Sequence, residues 1–194
     1  MRPILAGMSA AATQHHLFWI TSRAAGSAAL LFSSAAVGLG LSMTLRTIRK
    51  RAADLRVMHE ALSLATLAAI VVHAVSLLGD SYLKLSVADI TIPFASGYKE
   101  PWMALGILSG WALVLLGLSY YARRRIGPSR WRKLHRFTSL AWLAGIAHSL
   151  GTGTDAGLTW FLVSMGVFAL PAAVLLAYRW LGTPPASRGA AATA

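Results

Sequence analysis

No cysteine occurs anywhere in the 194 residues. That absence excludes disulfides, thiolate metal sites, iron–sulfur clusters and covalent haem attachment through CxxCH. Acidic side chains are nearly as scarce, with six Asp and Glu against 18 Lys and Arg, and charged residues of both signs make up only 12% of the chain. Neither GxGxxG nor a P-loop is present, so no flavin, dinucleotide or nucleotide-phosphate cradle is expected on this chain. No stretch has the composition of a soluble domain.

What fills the chain instead is apolar: 56% hydrophobic residues and a mean hydropathy of +0.60, the composition of a membrane protein. A net charge of +12 would suggest nucleic acid in a soluble protein, but here the basic residues sit in short clusters between apolar runs, a pattern of topology. No nucleic-acid partner is expected. The N-terminus, MRPILAGMSAAATQHHLF, lacks a basic region running directly into an apolar one. The first hydrophobic segment is therefore expected to stay in the mature chain.

Five stretches are long and apolar enough to span a bilayer, near 19–44, 57–79, 101–122, 134–152 and 157–180, given the roughly 20 helical residues a hydrocarbon core requires. The expected fold is all-α, a bundle of five transmembrane helices over residues 1–180 followed by a flexible cytoplasmic tail at 181–194. Interior Gly, Ser and Thr suit close helix packing in lipid, and Pro171 predicts a kink in the fifth span. The connections LRTIRKRAADLR (45–56) and ARRRIGPSRWRKLHR (122–136) hold five and seven Lys/Arg. The positive-inside rule makes their side cytoplasmic, with the N-terminus outside and the C-terminus inside. The opposite connection, 79–100, mixes apolar and polar residues and is expected along the outer interface.

Two spans carry paired histidines, His59 with His73 and His135 with His148. The second and fourth spans run in the same direction, so His59 lies level with His135 near the cytoplasmic face and His73 level with His148 near the outer face. The intervals correspond to about 21 and 19.5 Å of helix rise. Each level can hold a planar cofactor between facing imidazoles, and bis-histidine iron protoporphyrin suits this best, because a bare zinc site wants three or four ligands. One difficulty is angular: the 14-residue interval returns to within about 40° of its start, whereas the 13-residue interval ends about 140° away. The fourth span must bend, bulge or offer its ligands from different sides. The bland alternative for any one of these residues is an imidazole bonded to a neighbouring helix carbonyl.

The sequence resembles the ferric reductase-like transmembrane domain family, which includes the membrane core of the NADPH oxidases. The carriers are H-x13-H (His59, His73), H-x12-H (His135, His148), FWITSRAAG, LLGDSYLKLSVADITIPFASGY and GPSRWRKLHRFTSLAWLAGIAHSLGTGTD. The resemblance implies two haem b groups, an inner one on His59 and His135 and an outer one on His73 and His148, passing single electrons across the membrane. It also accounts for the 13-residue interval, which the family shares. Two departures matter: members often have six helices, and the oxidases continue into flavin and nicotinamide domains. The electron source is then expected to be another molecule, or a domain removed from this one.

Arg23 lies on the outer side of the first span, where an unpaired guanidinium is costly; an outer haem propionate is the expected partner, snorkelling the alternative. Arg56, Arg132 and Arg136 flank the inner histidines and could meet inner propionates or an acidic donor protein, although orientation and lipid contact explain most of the basic cluster. Trp142 lies midway between His135 and His148 and reads chiefly as packing, with a place between the macrocycles as the alternative. Trp102, Trp131, Trp160 and Trp180 read as belt residues. His15 and His16 read as an exposed N-terminal segment, and Asp155 as a turn residue and helix N-cap.

The expected function is electron transfer from a cytoplasmic donor, a separate flavoprotein or similar, to an outer acceptor such as a ferric chelate or dioxygen. The chain would be an oxidoreductase subunit with four metal-ligating histidines, in a bacterial-type plasma membrane that it crosses several times. Two alternatives remain: a haem-binding anchor passing quinol electrons to a periplasmic reductase, and a haem-free divalent metal transporter.

Overall fold

The computed structural model describes residues 2–45, 47 and 52–182, with side chains from His16 onward except Ala52. Every regular element among them is helical: α1 (Arg2–Leu45), α2 (Ala52–Leu78), α3 (Val87–Thr91), α4 (Glu100–Leu118), α5 (Arg123–Ile126), α6 (Pro128–His135), α7 (Thr138–Thr152) and α8 (Thr159–Leu181). Four contain stretches long and apolar enough to cross a membrane: His16–Leu45, Ala53–Leu78, Glu100–Leu118 and Thr159–Leu181. The chain is a multi-pass membrane protein.

The boundaries differ from the sequence expectation in instructive ways. α1 begins at Arg2, far ahead of the expected span start at 19, because the Ala-rich segment before it favours helix without needing to be apolar. Of the basic connection at 45–56, residues 46 and 48–51 lie outside the described residues, as do residues 183–194 of the expected tail. The second basic segment is largely helical, forming α5 and α6.

The expected span at 134–152 is interrupted. α6 stops at His135 and α7, of 15 residues, starts at Thr138, giving about 22 Å of regular helix. Between them the amides of Phe137, Ser139 and Leu140 bond carbonyls three residues back, at 3.0–3.3 Å. Hydroxyls take carbonyls at this break: Thr138 Oγ1 donates to His135 O at 2.7 Å, and Ser139 Oγ to Arg136 O at 2.9 Å. Such 3₁₀ turns advance about 120° per residue instead of 100°. Local overwinding therefore reduces the angular mismatch of the 13-residue interval.

α1 packs along most of α2 and against α8, and α4 packs along α7, whereas α2 and α4 touch only sparsely. The buried core joins Leu41, Trp142, Ala169, Ala172 and Leu176, with Pro171 inside α8 beside Ala172. Gly38 brings α1 close to α8: a Cβ there would stand 3.7 Å from Ala172 Cβ, a small-residue contact suited to lipid. Leu115, Val163, Val167, Leu170 and Val174 are exposed, which is the inversion expected where the solvent is hydrocarbon.

The connection from α2 to α4 is partly folded. Ser86 and Asp89 form a capping box on α3, and the Ser86 hydroxyl bond holds the Asp89 carboxyl below its ordinary range. Trp111 Nε1 donates to Thr91 O at 2.9 Å, tying α3 to α4. Val87, Ile92 and Phe94 are exposed, but Leu83, Leu85 and Ile90 line an internal cavity. The segment thus closes that cavity as well as presenting apolar surface outward.

Candidate functional site

α2 carries His59 and His73 on one unbroken helix, while the interrupted helix opposite supplies His135 from the end of α6 and His148 from α7. The structure brings these together as two pairs. The rings of His59 and His135 have centroids 6.1 Å apart at 84°, and those of His73 and His148 lie 6.4 Å apart at 77°. Two imidazoles binding one metal from opposite sides, each at about 2 Å with the ring centre about 1 Å behind the bonding nitrogen, stand about 6 Å apart between centres. Both pairs fit that requirement. Among the described residues no group of three or more His, Asp or Glu is assembled. Two imidazoles per level suit a planar group that completes its own equatorial coordination.

The far nitrogens explain how three rings are aimed. His59 Nδ1 lies 2.9 Å from Ala36 O, His73 Nδ1 2.8 Å from Ser22 O, and His148 Nδ1 2.8 Å from Trp102 O. Ser22 Oγ adds a contact to His73 Nδ1 at 3.1 Å. A neutral imidazole donating through Nδ1 has its lone pair on Nε2, which leaves Nε2 as the nitrogen able to ligate and raises its basicity. The bland reading and the ligand reading therefore do not exclude each other, since a carbonyl bond of this kind would also orient a ligating ring.

A glycine stands four residues after each acceptor carbonyl: Gly26 after Ser22, Gly40 after Ala36 and Gly106 after Trp102. In a helix the side chain at i+4 reaches back over the carbonyl of residue i, as Ser and Thr do when they bond it. Removing that side chain opens the carbonyl to a neighbouring helix. A Cβ on Gly26 would sit 3.0 Å from His73 Nδ1, one on Gly40 3.2 Å from His59 Cε1, and one on Gly106 2.5 Å from His148 Cε1. The sequence reading missed this device. Its signal was present, since Gly26 and Gly40 repeat at the 14-residue interval of His59 and His73.

The sparse contact between α2 and α4 leaves a cavity of about 550 Å³, lined by His73, His148, Arg23, Asp155, Trp142 and Gly106 among mostly apolar neighbours. Arg23 does not stand alone there. Its Nε donates to Asp155 Oδ2 at 3.1 Å and its Nη2 bonds Asp155 Oδ1, while the guanidinium lies 4.1 Å above the Trp19 ring. The cost of holding this charge is met by a carboxylate of the chain itself. The Asp155 expectation is corrected in part: the N-cap of α8 is Leu158, with no side-chain cap bond. The turn holds, with Leu158 N donating to Asp155 O at 2.8 Å.

Trp142 is 1% exposed and donates through Nε1 to Ser34 Oγ at 3.0 Å; Ser34 is fully buried and passes its hydrogen to Leu30 O at 2.7 Å. Trp142 belongs to the core and also lines the cavity. Arg56, Arg132 and Arg136 are exposed near the inner pair. His16 is exposed and stacked on Trp19, with centroids 5.5 Å apart, and the His15 side chain lies outside the described residues. Trp131, expected in an interfacial belt, instead stacks on His135.

A family model described as the ferric reductase-like transmembrane component matches residues 25–146. No curated protein and no solved structure matches the chain. The match includes His59, His73 and His135, and its end at 146 falls two residues before His148.

Proposed function

The chain belongs to the ferric reductase-like transmembrane component family, and on that premise we propose that it carries electrons across the membrane through two b-type haems. The inner would be held by His59 and His135, the outer by His73 and His148. The observation that carries this reading is the pair of imidazole couples at 6.1 and 6.4 Å, stacked along a helix whose ligand interval rises about 21 Å. Bound haem supplies a one-electron ferric/ferrous couple with little change in ligation.

The remaining work falls to the chain. Ala36, Ser22 and Trp102 carbonyls hold three rings through Nδ1 and leave Nε2 to ligate. Mostly apolar residues line the cavity at the outer level, and the Trp142–Ser34 bond ties α7 to α1 between the two levels. The Arg23–Asp155 pair ties α1 to the α7–α8 connection beside the outer cavity. Counting α6 with α7 as one interrupted span gives five, with the basic segments cytoplasmic, the N-terminus outside and the C-terminus inside. In a bacterial-type plasma membrane, a separate donor protein would dock near Arg56 and Arg132, and an acceptor such as a ferric chelate or dioxygen would take the electron outside.

The test is a reduced-minus-oxidised optical spectrum with haem quantified per chain. Two low-spin b haems are expected, and His73→Ala should lose only the outer one. A colourless full-length preparation, or retention of both haems in His73→Ala, refutes the assignment.

A further inference from the structure

Four imidazoles form two couples, and three of them make well-formed bonds to carbonyls, whereas the Leu116 carbonyl only approaches His135. His135 Nδ1 is buried and has no hydrogen-bond partner among the described residues. The register of the other three shows why. On α1 the acceptor and its glycine recur after fourteen residues, as Ser22 with Gly26 and Ala36 with Gly40. Fourteen residues beyond Trp102 and Gly106 stand Leu116, near the end of α4, and Tyr120, two residues past it. The glycine is replaced by an aromatic residue, and the Leu116 carbonyl already accepts Ser119 Oγ at 2.6 Å.

What His135 has instead is an aromatic face. Trp131 lies 4.9 Å from it between ring centroids, at 24°. The indole is fixed in turn: Nε1 donates to Ser119 Oγ at 3.1 Å, and Tyr120 meets it edge-on at 5.8 Å. Tyr120 itself lies under the Arg123 guanidinium at 3.8 Å. A stack fixes the plane of an imidazole, whereas a bond to Nδ1 fixes both its rotation and its tautomer.

We propose that Trp131 is the positioning residue of the inner level, its stacked indole fixing the ring plane of His135 where no well-formed carbonyl bond does. The inference rests on the reading that His59 and His135 ligate one haem. On that reading His135 is the ligand most easily displaced, because its far nitrogen makes no well-formed hydrogen bond and only the Leu116 carbonyl approaches it.

The experiment uses the full-length protein in detergent, alone and in the His73→Ala background, where the inner level is read by itself. Trp131→Leu should weaken inner haem retention by about 10- to 100-fold, the usual effect of removing a ligand's outer support. What remains bound should show a high-spin component and bind added carbon monoxide when reduced. Trp131→Phe should restore most of the low-spin signal, and Ser119→Ala should fall between the two. Wild-type spin state and carbon monoxide resistance in Trp131→Leu would overturn the proposal. So would collapse of both levels in Trp131→Leu beside wild-type spectra in Trp131→Phe and Ser119→Ala, since Trp131 would then be a packing residue. Absence of haem from the unmutated protein would instead sink the reading beneath it.

Discussion

Gly106→Ala adds one methyl group where the structure leaves no room for it. The new Cβ would lie 2.5 Å from His148 Cε1 and 2.7 Å from its Cγ, so the imidazole must move and its bond to Trp102 O at 2.8 Å must stretch or break. Overpacking costs about 1–3 kcal/mol and the lost hydrogen bond about 1 kcal/mol, against about 1 kcal/mol gained in helix propensity. A net loss of about 1–3 kcal/mol is expected, with outer haem affinity falling by about 10- to 100-fold. Gly117→Ala is the control: its Cβ would meet Leu67 Cδ1 at 3.6 Å, an ordinary contact, so the same propensity gain should leave it neutral or up to about 1 kcal/mol more stable. Gly26→Ala and Gly40→Ala, with contacts of 3.0 and 3.2 Å, should lie between these, the first acting on the outer level and the second on the inner. The assay is haem per chain with the reduced spectrum of each variant, alongside the apparent Tm in one detergent. If Gly106→Ala matches Gly117→Ala in haem content, spectrum and Tm, the argument that glycine opens these carbonyls is wrong.

Arg23→Gln should destabilise more than Asp155→Asn, by about 2–3 kcal/mol against about 1, since the first leaves a carboxylate side chain that is 9% exposed and the second a guanidinium side chain that is 31% exposed; paired apparent Tm values check the order, and equality would point to pure packing. Trp142→Phe should cost about 1 kcal/mol for the bond to Ser34 while retaining both haems, and Trp142→Ala about 3–5 kcal/mol, each read as a shift in apparent Tm.

How much of this was legible follows from which quantities a helix keeps fixed. Rise per residue is rigid, so the depths of His59, His73, His135 and His148 could be paired from numbering alone, and the structure sets those rings in couples at 6.1 and 6.4 Å. Long apolar runs likewise announced α1, α2, α4 and α8. The break between α6 and α7 was visible only as an angular conflict, because several local distortions relieve the same mismatch and the numbering cannot choose among them. Arg23 was read as a charge needing an anion, with a haem propionate as the expected partner; Asp155, which it meets, lies 132 residues away and had a sufficient local explanation as a turn residue. Carbonyl acceptors are harder still. Every residue has one, and only the missing side chain four positions on distinguishes Ser22, Ala36 and Trp102.

That last signal also shows why the two helices opposing α2 and α7 solve one problem differently. α1 runs unbroken beside an unbroken α2, so a single interval sets both ligands and both glycines. α7 begins only after His135, and the overwound turn shifts that ring out of the register in which a glycine on α4 would serve it. With Tyr120 in the glycine's place and Ser119 on the carbonyl, the Leu116 carbonyl forms no well-formed bond to the fourth imidazole, and α6 adds Trp131, which lies one helical turn before His135 and covers its face. The irregular 13-residue spacing and the aromatic stack are therefore two consequences of one break in the helix.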